Sequence, residues 1–186
     1  RRQRPDVYKR QDIHLKIANY LENNRDKVSN LKISLHYKLA GNYEKSAFYF
    51  IKEIESLLDS GCYLLASDKM NYLDDNYASE LIVSLSLRYH ALFLKGRILF
   101  HTVQYQSAIE VFTQLIKDIP HDYDELIGSC HQWLARSFLK LNTQNDFNSA
   151  LSHLHIAKSK FTKTEKDSEL GDILLDFIVA YAHMNQ

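Results

Sequence analysis

Glycine and proline are scarce: the 186 residues include five glycines and two prolines. Pro5 lies in an unusual N-terminal stretch, which leaves Pro120 alone in the body of the chain. So few breakers exclude a many-stranded sandwich with its turn-rich connections and favour long helices. Cysteine is scarce too. Cys62 and Cys130 cannot build a disulfide framework, which fits a reducing compartment and predicts a cytoplasmic location. No apolar run is long enough to span a bilayer. The best, residues 173–182, is short and is interrupted by Asp176. A hydrophobic signal segment is absent as well. The scattered glycines form no phosphate-binding loop, so nucleotide chemistry is not expected in this segment. Charge of one sign is lacking, with 23 basic and 23 acidic residues. Leaving out residues 1–11 gives 18 basic against 22 acidic, a mildly acidic body that argues against nucleic acid as a direct partner. What remains is 45% hydrophobic and 25% charged, the proportions of a chain able to bury a core.

The most informative pattern is a repeat with a period of 42 residues. Tyr63, Tyr105 and Phe147 are evenly spaced, as are Ala66, Ala108 and Ala150, then Met70, Phe112 and Leu154, then Leu73, Leu115 and Ala157. Within each copy these positions fall at i, i+3, i+7 and i+10, one face of a helix. Upstream of each set, Phe50, Leu92 and Leu134 correspond, as do Leu57, Leu99 and Leu141. Each repeat is therefore a helical hairpin, and a chain that repeats one such face is an antiparallel helix-hairpin solenoid, all-α and without β-sheet. The small alanines admit close helix approach, and the large residue four positions on fills the adjacent groove.

Apolar periodicity and turn residues predict about nine helices, over 12–24, 27–40, 43–59, 62–74, 79–101, 104–118, 122–141, 145–160 and 167–185. In the first, Ile13, Ile17, Tyr20 and Leu21 are expected to point inward. Asn145 or Asp146 is the expected N-cap of the eighth. The expected organisation is a helix pair over 12–42, then repeats over 43–76, 77–120 and 121–161 and an incomplete one over 162–186. Residues 6–11 carry a separate resemblance: one permitted back-translation is similar to a transposon end used in sequencing-library preparation. Residues 1–11 are therefore expected to be a non-native, disordered tail on a gene fragment.

Gly96, Tyr105, Ala108, Phe112 and Pro120 are similar in type and spacing to the tetratricopeptide (TPR) signature, and Gly61, Tyr63 and Ala66, then Phe147 and Ala150, resemble its second-helix start. The period departs from the usual repeat of about 34 residues, leaving roughly two extra helical turns per hairpin to distribute. Longer TPR-like repeats occur in the sensor arms of STAND-class signalling ATPases, such as maltose-regulator-like activators and cyclase-type or kinase-type regulators. Residues 13–18 and 34–47, with His14, Ala18, His36, Tyr37, Ala40, Gly41, Tyr43 and Ala47, resemble the junction between winged helix and superhelix in such proteins. The resemblance implies a non-catalytic scaffold that binds a protein, a peptide or a small effector on a concave face. It implies a fragment of a larger signal-transduction ATPase or transcriptional regulator; a free-standing TPR adaptor is the alternative.

No catalytic, metal or cofactor site is expected. His153 and His155 are two positions apart on a helix and point about 200° apart, so they cannot share an ion. Cys130 and His131 diverge in the same way, and Cys130 reads as a small buried residue. Cys62 opens a helix, where a thiolate is mildly favoured, but packing is the expected role. Trp133 is read as a core residue, with a groove-facing anchor as the alternative. His90, Arg97, His101, Arg136 and Lys140 lie on first helices of two hairpins, which line the groove in TPR arrays; they are the candidate ligand-facing residues. The packing residues are Tyr63, Ala66, Met70, Gly96, Tyr105, Ala108, Phe112, Phe147, Ala150 and Leu154. The last helix is apolar on a broad face that includes Ile173, Leu174, Phe177, Ile178 and Tyr181. That face suggests an array cut mid-repeat and a surface for self-association. No membrane contact is expected.

Overall fold

The structure, a computed structural model, describes residues 4–24 and 28–184. Ten α-helices and no strand are found among the described residues: α1 (Arg4–Asn23), α2 (Asn30–Leu39), α3 (Tyr43–Asp59), α4 (Tyr63–Asn76), α5 (Ala78–Val83), α6 (Leu85–His101), α7 (Tyr105–Asp118), α8 (Asp124–Leu141), α9 (Gln144–Lys163) and α10 (Asp167–Met184). They form two compact units, Arg1–Ala91 and Leu92–Gln186. The boundary falls within α6, inside the expected repeat 77–120.

In the first unit, consecutive helices from α1 to α5 pack as hairpins, and α3 also meets α5. Ala18, Ile33, Tyr37 and Tyr49 form one buried cluster, with Leu21, Val28 and Phe48 against it. A carboxylate anchors its rim. Glu22 accepts from the Tyr49 hydroxyl at 2.6 Å, from the Lys45 ammonium at 3.1 Å and from the Tyr37 hydroxyl. These donors, the two tyrosines foremost, hold its carboxyl down at about 2. Deeper, Ser34 and Ser46 each donate to the other's carbonyl at 2.8 Å, and Ser46 Oγ lies 2.7 Å from the Tyr77 hydroxyl. Both serines are buried and therefore need these partners.

Helices α2 and α3 end alike. Gly41 and Gly61 each sit at φ +79°. After each, a paired bond closes the turn: Asn42 N–H to Tyr37 O at 2.9 Å, and Cys62 N–H to Leu57 O at 2.8 Å. This is the Schellman end, in which a left-handed residue returns the chain for the next helix. After α6 the same turn recurs, with Gln104 N–H bonded to Leu99 O at 2.9 Å, but the left-handed residue is Val103, at φ +66°. The 42-residue register places Val103 where Gly61 stands.

In the second unit, α7 packs on α8, α8 on α9 and α9 on α10, and α10 also reaches α8. Its core joins Ala135, Leu139, Phe147, Ala150, Leu154, Ala157, Phe161, Ile173, Phe177 and Ala180. Gly96 on α6 permits the closest approach to α7: a Cβ there would lie 2.5 Å from two ring carbons of Phe112. Ala66, Ala108 and Ala150 are fully buried on α4, α7 and α9, and Met70, Phe112 and Leu154 are buried beside them. Tyr63 and Tyr105, which open α4 and α7, are half-buried, and Phe147 is buried.

Several boundaries differ from the sequence reading. Residues 4–11 are not a disordered tail but continue α1, because nothing breaks a helix between Arg4 and Asn23 and Pro5 stands in the first turn, where proline is tolerated. Residues 1–3 lie outside the described residues, as do Lys27, the expected start of the second helix, and Asn185, the expected end of the last. Ile13 and Tyr20 do not point inward; they are 54% and 67% exposed. The buried stripe of α1 runs one step aside through Ala18, where His14 Nδ1 meets His36 Nδ1 at 3.0 Å.

The expected helix over 79–101 is two helices, which accounts for ten rather than nine. Tyr77 is buried, its ring against Phe50 at 5.6 Å, and it holds the chain to α3. Ser84 then adopts an extended conformation between α5 and α6. A single straight helix over 79–101 would measure about 35 Å, longer than the helices it packs beside. The two extra turns of the long period are thus spent differently in each copy: in α5 and its break in one, in the loop over 119–123 and the longer α8 in the other. At the start of α9 the N-cap is Thr143, not Asn145 or Asp146. Its hydroxyl accepts from Asp146 N–H at 3.3 Å, and Asp146 Oδ2 accepts from Thr143 N–H at 3.2 Å. This reciprocal box satisfies two orphan donors at once.

Candidate functional site

The second unit holds a groove of about 650 Å³ lined by Phe100 and His101 at the end of α6, by Trp133, Arg136, Leu139, Lys140 and Asn142 of α8 and its cap, and by Asp176, Val179 and His183 of α10. Trp133 and Arg136 occupy successive turns of α8, so they rise into the groove together. Leu139 turns toward the core of the unit, where it joins the buried cluster with Ala135, Phe147 and Leu154.

Trp133 is the centre of the site. The Arg136 guanidinium lies 4.9 Å from its ring centroid and that of Arg97 lies 5.3 Å away. Phe100 and His101 meet the indole edge to face at 5.2 and 5.4 Å. Two cations on one indole are attracted by its quadrupole and hold its orientation. Asp176 stands across from α8. Arg136 Nε donates to its Oδ1 at 2.9 Å and Oδ2 at 2.8 Å, and Gln132 Nε2 donates to Oδ2 at 3.0 Å. Both Arg136 bonds use Nε, so its two terminal nitrogens keep their donors for a ligand. Lys140 lies one turn further along and is exposed. His183 stacks on Phe147 at 5.6 Å. Burial first, then the charges of Arg97 and Arg136, hold the His101 imidazole below its usual range, so it stays neutral near pH 7. With Asp176 offset by Arg136, Lys140 leaves the groove positive beside an aromatic floor.

Of the candidate ligand-facing residues, the structure brings together His101, Arg136 and Lys140 in the groove lining, with Arg97 outside that lining and 5.3 Å from the indole centroid. It does not bring in His90, which lies in the first unit with Nε2 3.4 Å from Glu55 Oε1. Trp133 is not a core residue: it is half-buried and forms the groove floor. Phe100, Asp176 and His183 were missed. Asp176 carried a signal, as an acid within an apolar helix, but it read only as an interruption.

The remaining titratable groups sit elsewhere. His153 Nδ1 meets His131 Nδ1 at 2.9 Å and its ring stacks on Phe138 at 5.7 Å, while His155 packs on Phe177 at 4.9 Å. Burial, with lesser contributions from His153 and Lys160, pushes His131 down to about 4. Burial also pushes the Cys130 thiol up to about 12, which opposes thiolate chemistry. Cys62 is exposed at the start of α4. Among the described residues no group of three or more His, Cys, Asp or Glu could hold a metal ion, and no helix is long and apolar enough to cross a membrane. Pairs of polar groups are thus spent on helix contacts: Asp124, for example, takes Lys160 at 2.6 Å and Lys163, which hold its carboxyl below the ordinary range. No family model, no curated protein and no solved structure matches this chain.

Proposed function

We propose that this chain is a non-catalytic interaction or sensing scaffold, and that the Trp133 groove is where it holds its ligand. The observation that carries the reading is the juxtaposition of an aromatic floor with the free donors of Arg136 and the ammonium of Lys140. Such a site suits a segment that pairs an apolar or aromatic side chain with a carboxylate, as an acidic peptide does. The TPR-like spacing of Gly96, Tyr105, Ala108 and Phe112 supports an assignment to TPR-like repeats. The resemblance of residues 13–18 and 34–47 to a winged helix–superhelix junction supports a parent among cytoplasmic STAND-class signalling ATPases or transcriptional regulators. In such a parent, ligand capture would act by favouring one arrangement of the arm over another.

Trp133 is the single tryptophan, so its fluorescence reports the groove directly. Titration with acidic peptides carrying one Phe or Tyr is expected to shift that emission with micromolar to sub-millimolar affinity, weakening as salt is raised. Lys140→Glu should weaken binding about tenfold, and Arg136→Gln by more. No emission change up to about 1 mM peptide, or affinity indifferent to both substitutions, would overturn the groove as the ligand site. The parentage is tested separately by the full reading frame: a P-loop followed by a winged helix upstream supports it, and a natural start codon near Asp12 refutes it.

A further inference from the structure

The outward face of α10 is apolar, and its pattern reads the same in both directions. Ile173, Phe177 and Ala180 turn into the unit and are buried. On the opposite side lie Gly171, Leu175, Ile178 and Ala182, spaced four, three and four apart along one helical stripe. Leu174, Val179, Asp172 and Tyr181 flank it. Every one of these eight positions is exposed, with Leu174 at 53%, Leu175 at 62%, Ile178 at 65%, Val179 at 44% and Tyr181 at 50%.

Two antiparallel copies of this helix, related by a two-fold axis between residues 176 and 177, set like against like. Gly171 faces Ala182 of the other copy and Leu175 faces Ile178, while on the flanks Leu174 comes beside Tyr181 and Val179 beside Asp172. A two-fold contact demands this self-complementarity, in which one patch serves both partners. The five large side chains expose on the order of 500 Å² per copy, so a pair would bury at most about 1,000 Å², at the lower limit for a specific interface. Gly171 adds an independent indication. A Cβ there would meet nothing within 4 Å, so the unit itself does not require glycine, which costs about 1 kcal/mol relative to alanine inside a helix. Opposed to Ala182, it lets two backbones approach closely.

We infer that α10 pairs with α10 of a second copy of this chain, antiparallel and about a two-fold axis, with Leu175 and Ile178 at its centre. Val179 borders both the groove and this face, but the central Leu175 and Ile178 lie outside the groove lining, so the pairing needs no ligand there.

Sedimentation equilibrium on the whole chain is expected to show a dimer at about 0.1 mM. Leu175→Glu sets a carboxylate against the apolar stripe and should weaken the dimer at least about 100-fold with helical content unchanged. Orientation is read by cysteine pairing in a Cys62→Ser background. Gly171→Cys and Ala182→Cys should form a disulfide when the two variants are mixed. Neither should do so alone, because residue 171 and its symmetry mate stand about 16 Å apart along the axis. A strict monomer at about 0.2 mM, open-ended association, or disulfides within each variant alone would each overturn the inference.

Discussion

Gly96→Ala sets local propensity against packing, and the structure decides the sign. In an exposed helix the change would stabilise by about 1 kcal/mol, since alanine is the better helix former. At position 96 the new methyl would stand 2.5 Å from Cε1 and Cζ of Phe112 and 3.0 Å from Cδ1. Carbon atoms settle about 3.5–4.0 Å apart, so the ring must move by about 1 Å. The ring has little room to move: Phe112 is fully buried, with the Phe93 ring centroid 6.0 Å away. Overpacking of this kind costs about 1–3 kcal/mol, occasionally more, and three violated ring contacts place it at the upper end. The net effect is a loss of about 2 kcal/mol, or roughly 4–8 °C in Tm for a chain of this length. Urea and thermal denaturation followed by circular dichroism measure it. Phe112→Leu removes the obstructing ring, so in the Gly96→Ala background it should cost at least about 1 kcal/mol less than in the parent. An unchanged or raised Tm for Gly96→Ala, or strict additivity of the two changes, would refute the close approach of α6 and α7.

Other expectations rest on different parts of the chain. Gly128→Ala should stay within about 1 kcal/mol of the parent in the same denaturation assay, because its Cβ would be 3.1 Å from Lys160 Cβ and 3.2 Å from the Phe161 ring, tight rather than overlapping. Val103→Gly should stabilise by about 1 kcal/mol by removing a β-branched residue from left-handed backbone at a site 68% exposed, where no burial is lost. The equivalent Gly61→Val should destabilise by at least as much. Acid should weaken the fold in two stages. His131 and His153 are held neutral by burial, so the unfolded chain binds more protons below about pH 6.5 and stability falls from near pH 7 toward pH 4. Glu22 is depressed to about 2, so its contribution is complete above its unfolded value and is lost as pH falls from about 5 toward 2. His131→Gln should flatten the first slope and Glu22→Gln the second; stability profiles unchanged by either would contradict these assignments.

The helical hairpins were legible because burial recurs at a helical period. Ala108 and Phe112 announce an inner face by type and spacing alone, and Gly41 and Gly61 mark chain reversals that few other residues tolerate. The break at Ser84 was not legible, because residues 62–95 contain no glycine or proline. It follows from Tyr77 docking on Phe50 and Ser46, contacts with residues about 30 positions away. Ile13 and Tyr20 misled for a related reason: an apolar residue signals that a helix can be buried there, while the partner helix selects the side. The groove was half visible. Arg136 and Lys140 stand one turn apart on a helix, so their common face could be read. That Trp133 forms its floor and Asp176 its opposite wall depended on α6, α8 and α10 converging.

The sequence by itself determined that this chain forms helices, where most of them turn back, and which alanines lie at helix contacts. Those properties depend on residues within a few turns of each other, and the 42-residue interval repeats them. Only the tertiary structure decided which apolar side chains remain exposed, which histidines meet, and which charges surround Trp133. Such choices depend on residues far apart in the chain reaching the same few ångströms, and no local spacing encodes that distance.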